Sequence, residues 1–125
     1  MAEQTNTRRA LVGLHNPRVA QVASRMLKVR GYSVDSVGDD YEQMKAKARE
    51  DGYELYTMDL NLGNPGNEDI TPGEEIFNLV RDRVEQGLAK FVGISGHTKN
   101  VDKAKQKGIP AVQIDDLEGF KIMID

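Results

Sequence analysis

Five short apolar runs punctuate this chain, and between most of them hydrophobic positions recur every three to four residues. The first run, Ala10 to Leu14, is continuous rather than alternating, the pattern of a parallel strand buried on both faces. Val19, Val22, Ala23, Met26 and Leu27 follow at helical spacing, with Asn16 placed to cap the helix, Pro17 at its first position and Gly31 past its end. Tyr32 to Val37 predicts a second strand, and Asp39 heads a weaker helix over Tyr41 to Glu50, striped by Tyr41, Met44 and Ala48. Tyr53 to Met58 predicts the third strand, with Asp59 at its carboxyl end. LNLGNPGNEDITPG then reads as a long loop, dense in Gly, Asn and Pro. A third helix begins near Pro72 and runs through Ile76, Phe77, Val80 and Val84 to Gly87. Phe91 to Ile94 is the fourth strand, ending in SGHT; a mostly polar helix carrying Val101 and Ala104 stops at Gly108, and Ala111 to Ile114 is the fifth strand. The remainder, DDLEGFKIMID, fits only a short final helix, as in a chain clipped from a longer protein.

Five strand–helix alternations with mostly short connections predict an α/β fold, a doubly wound five-stranded parallel sheet of order 2-1-3-4-5 with right-handed crossovers. The expected organisation is one domain over residues 1–125, with residues 1–8 as a disordered polar tail. Ligands of such sheets bind beyond the carboxyl ends of the strands, at the switch point between strands one and three. The positions to interrogate are therefore Leu14 to Asn16, Asp59 to Asn61, Ser95 to His97 and Asp115 to Asp116.

Composition narrows the chemistry. Net charge is −3 and the cations are scattered, which disfavours nucleic acid as a partner. The chain has no cysteine, so thiolate zinc sites, Fe–S clusters and thiol catalysis are excluded; two histidines, His15 and His97, are too few for a His-rich cage. Carboxylate sites for hard cations stay open. There is no membrane-length apolar stretch and MAEQTNTRR has no signal-peptide core, so a soluble cytoplasmic protein is expected.

YELYTMDLNL, PGEEIFNLVR, KFVGIS and KGIPAVQIDDL, in this order and spacing, resemble the receiver (CheY-like, flavodoxin-like) domains of bacterial two-component response regulators over nearly the whole chain. The resemblance implies that a strand-three aspartate accepts a phosphoryl group from a histidine kinase and that an acidic pair ending strand one holds Mg²⁺. A strand-four Ser or Thr would bond the phosphoryl oxygen, and a lysine would end strand five. Asp59 matches the acceptor and Ser95 the hydroxyl, while Asn61 matches the residue whose backbone carbonyl meets the metal. The plainer alternatives are a turn aspartate, a small residue before Gly96 and a loop asparagine.

The departures are as informative as the matches. Leu14 and His15 stand where the acidic pair belongs, Asp115 where the lysine belongs, and Val112 where a reorienting aromatic belongs. Asp115 and Asp116 also suit the start of the last helix. With carboxylates and lysine lost, Asp59 is expected to be a poor acceptor. Glu68 and Asp69 could supply a replacement ligand, although a solvated insert is the expected reading of their loop; His15 and His97 are each expected to be solvated. No cofactor is assigned, and Asp59 and Asn61 are the ligands left for Mg²⁺.

The expected function is an atypical, pseudo-receiver signalling domain of a two-component phosphorelay, working by protein–protein contact with weak or no phosphoacceptance. Its partner would be a histidine kinase or a downstream signalling protein, with pairing between copies left open. The alternative is a phosphorylated receiver with atypical metal use. A further one is a cobalamin-binding module, because GLHNPRVAQVASRMLKVRGYSV resembles the histidine loop and helix of that family; of its Asp-x-His-x-x-Gly motif only His15 survives, Gly13 and Arg18 standing at the other positions. No nucleophile and base pair is recognisable, so an enzyme is not expected.

Overall fold

The computed structural model describes residues 8–50, 52–63 and 69–125. Elements alternate as β1 (Arg8–Gly13), α1 (Pro17–Val29), β2 (Tyr32–Ser36), α2 (Tyr41–Ala48), β3 (Tyr53–Asp59), α3 (Thr71–Glu85), β4 (Lys90–Ser95), α4 (Thr98–Gln106), β5 (Ala111–Gln113) and α5 (Leu117–Ile124). All strand pairs are parallel and the sheet order is β2-β1-β3-β4-β5, as the alternation predicts.

The central strands are mostly apolar because both of their faces are covered. Leu11, Tyr56, Met58 and Phe91 pack with Met44 of α2, Ile76 and Phe77 of α3 and Val101 of α4. On the other side, Ala10, Val12, Leu55, Val92 and Ile94 pack with Ala23 and Leu27 of α1 and Phe120 and Ile124 of α5. Asn16 caps α1 as expected, its side-chain oxygen accepting from Arg18 N at 2.9 Å and Val19 N at 3.3 Å.

Three expectations need correction. Arg8 belongs to β1 rather than to the tail: its backbone pairs with Tyr32 and its guanidinium lies 4.3 Å from the centre of that ring, so a charged residue lends its stem to the sheet. The cap of α2 is Asp40, which accepts from Gln43 N at 3.0 Å, while Asp39 accepts from Gly63 N at 3.0 Å across the crevice end of the sheet. β5 stops at Gln113, so Ile114 already lies in the turn. The rest of the expected tail, residues 1–7, and Glu68 of the long loop lie outside the described residues.

Candidate functional site

Asp59 is the last residue of β3, opposite Ile94 of β4, and only 2% exposed. The chain leaves it through a fixed turn. Leu60 N donates to Ile94 O at 2.9 Å, and Gly73, in the first turn of α3, donates to Leu60 O at 2.9 Å. That approach needs a glycine, since a Cβ on residue 73 would lie 2.8 Å from Leu60 Cδ2 and 3.1 Å from its Cα. Asp59 is therefore pinned at the switch point by backbone contacts on both sides.

β1 ends at Gly13, and the next two residues form one wall of the crevice. Leu14 is buried in the α1–α5 core and offers no donor. His15 turns onto Asp59: its backbone N–H donates to Oδ2 at 2.7 Å, and its Nδ1 stands 2.6 Å from the same oxygen. The ring contact has ion-pair distance but not the alignment of a hydrogen bond. This overturns the expectation of a solvated histidine and joins two switch-point residues 44 positions apart in sequence as a carboxylate–imidazole pair. Burial pushes the Asp59 carboxyl above its ordinary range; the His15 N–H and ring pull it back, and the charge of Asp39 raises it further.

The opposite wall is the end of β4. Ser95 is 2% exposed, and its Oγ accepts from His97 N at 3.0 Å and from Asn100 Nδ2 at 3.3 Å. His97 is half-buried at the start of α4 and makes no side-chain cap. Asn61 is buried, 5% exposed, in the turn after β3. Val112 is buried in β5, paired with Ile94, in the position expected for an aromatic.

Asp115 lies exposed in the turn after β5, and the acid whose charge bears on Asp59 is Asp39 instead. Asp116 caps α5 as expected, accepting from Gly119 N at 2.9 Å. Asp69 is exposed and accepts from the N–H and hydroxyl of Thr71, which hold its carboxyl below the ordinary range, so it serves the entry to α3. Sequence reasoning missed Asp39 and Asn100. Asn100 had a usable signal, since it lies beside Val101 and one turn before Ala104 on the apolar face of α4.

The residues present do not fit Mg²⁺. That ion needs oxygen donors in strict octahedral array; the end of β1 supplies an aliphatic side chain and an imidazole already turned onto the acceptor oxygen. Among the described residues, no group of three His, Asp or Glu side chains could hold a metal ion.

No protein-family model matches this chain, and no curated protein does. Solved structures do. A response regulator from Burkholderia pseudomallei, solved with a phosphorylated aspartic acid, a calcium ion and citrate, superposes at TM-score 0.69 and 20% identity, over 94% of this chain and 66% of that one. A CheY-like receiver domain from Methanospirillum hungatei gives TM-score 0.67 and 16% identity, over 95% and 90%. The chemotaxis response regulator CheY4 of Vibrio cholerae gives 0.63 and 18%, over 95% of both chains. The protein thus has the α/β fold of response regulator receiver domains. Within that class its fold is CheY-like, with the strand order and five flanking helices that the sequence predicted.

Proposed function

We propose that residues 1–125 form one receiver-like signalling domain of a two-component phosphorelay that acts by protein–protein contact and accepts phosphoryl weakly or not at all at Asp59. The observation that carries this reading is the placement of His15 on Asp59 Oδ2, by backbone N–H and by ring, where the resemblance calls for metal-binding acids. Phosphoryl transfer needs positive charge around the equatorial oxygens of the moving group. This site offers one imidazole, and Asp39 adds negative charge instead. A phosphoryl group bringing about −1.5 to −2 charges would enter a buried pocket with little to balance it.

The domain then signals as a binding module rather than an enzyme, with a histidine kinase or a downstream signalling protein as partner. A cytoplasmic setting suits that role; among the described residues no helix is long and apolar enough to cross a membrane. The second reading, a phosphorylated receiver with atypical metal use, is favoured by Ser95, whose hydroxyl proton is still free to donate. The phosphorylated aspartic acid of the Burkholderia neighbour makes Asp59 the residue to test.

Incubation with acetyl phosphate and Mg²⁺, followed by intact mass measurement beside an Asp59→Asn control, separates the two. Little or no gain of a phosphoryl group supports the binding-module reading. Near-complete conversion that Asp59→Asn abolishes establishes the second.

A further inference from the structure

Asn100 is fully buried on α4, and its carboxamide is half used. Nδ2 donates to Ser95 Oγ at 3.3 Å, while Oδ1 is buried with no partner. Turning the amide over does not cure this, because Oδ1 would then face Ser95 and Nδ2 would be left unpaired. A leucine has the same branched outline, with bulkier methyl groups in place of the amide oxygen and nitrogen, and would bring no unpaired atom to this site beside Val101 and Ala104.

Ser95 explains what the asparagine does. A hydroxyl has two acceptor positions and one proton. Both acceptor positions are taken, by His97 N at 3.0 Å and by Asn100 Nδ2, so the proton alone remains to be placed. Ser95 ends β4 one residue beyond Ile94, the partner of Asp59, so that proton lies at the crevice.

We propose that Asn100 is a positioning residue: by donating to Ser95 Oγ it keeps the Ser95 proton available to an anionic oxygen bound beside Asp59, and it ties that hydroxyl to α4. Turned over, the amide would take the Ser95 proton on Oδ1; an anion at the crevice favours the orientation seen here, with Nδ2 toward Ser95. Crevice occupancy is thereby read by a residue inside α4, with no part for the aromatic absent at Val112. The inference rests on the second reading above, in which the crevice holds a phosphate-like anion, and not on weak phosphoacceptance at Asp59.

The test is a titration of the whole chain with inorganic phosphate, followed by the amide NMR signals of Ser95, His97 and α4, in wild type and Asn100→Leu. Asn100→Leu should remain folded, with amide signals unchanged away from α4 and Ser95, yet weaken the phosphate response at Ser95 about fivefold, the factor of one ordinary hydrogen bond, and silence it along α4. Ser95→Ala should abolish the response and shift the Asn100 side-chain amide signals. Equal phosphate responses in wild type and Asn100→Leu, no response at Ser95 in wild type, or unmoved Asn100 signals in Ser95→Ala would each overturn the proposal. Phosphate binding involves no covalent step, so these outcomes are separate from phosphorylation of Asp59.

Discussion

The two walls around Asp59 are built on opposite principles. On the β1 side, Leu14 is sealed in the core and His15 lies against the acceptor oxygen, so that wall closes onto the carboxylate. On the β4 side, His97 N and Asn100 Nδ2 occupy the acceptor positions of Ser95, so its proton is the one polar feature left to give. The contrast sets the β4 residues that match the receiver pattern against the β1 residues that depart from it. Phosphoryl chemistry needs both walls at once, one to supply cationic charge and one to supply a donor.

The most severe way to break the comparison is to move its reference point. Gly73→Ala would force a Cβ against the Leu60 backbone behind Asp59, and we expect a loss of about 1–3 kcal/mol, measured by urea denaturation, with amide shifts on both walls. A loss under about 0.5 kcal/mol, the range of an uneventful surface change, would mean that the turn is not rigid.

Asp59→Asn should have the opposite sign. Burial raises the folded-state pKa of Asp59, so its contribution to stability is full below the unfolded carboxylate range and is lost as pH rises through the folded value. Above the folded value the ionised side chain is a net cost, and the amide can still accept from His15 N. We expect a gain on the order of 1 kcal/mol at pH 7, shrinking as the pH falls toward the acid range; a gain that is independent of pH would contradict the burial argument.

His15→Ala is the gentler probe, directed at one wall alone. Removing the ring leaves the backbone N–H but takes away a group that lowers the Asp59 carboxyl, which should then titrate higher still in a carboxyl-carbon NMR titration. An unchanged Asp59 titration would show that the ring is a bystander and the closed wall is made by the backbone only.

The fold was legible in the sequence because each strand and helix is written locally. Buried strands appear as unbroken apolar runs such as Ala10 to Leu14, and α1 carries Asn16 and Pro17 at its start. Asp59 and Ser95 were legible for the same reason, as polar residues closing apolar strands. What was not legible is how side chains from different elements meet. The strand order puts His15 across from Asp59, but only the packed turn shows that its N–H and ring close onto that carboxylate, and Asp39 reads as a helix cap although it accepts from Gly63 N. Arg8 was misplaced because its charge hides an aliphatic stem that packs on Tyr32.

With His15 standing where metal-binding acids are expected, a Mg²⁺ titration followed by the amide spectrum is the decisive measurement. The signals of His15, Asp59, Leu60 and Asn61 should stay flat through millimolar Mg²⁺, and Leu14→Asp with His15→Asp should together produce a saturable response that Asp59→Asn removes. Saturable, stoichiometric Mg²⁺ binding at Asp59 in the wild-type chain would contradict this expectation.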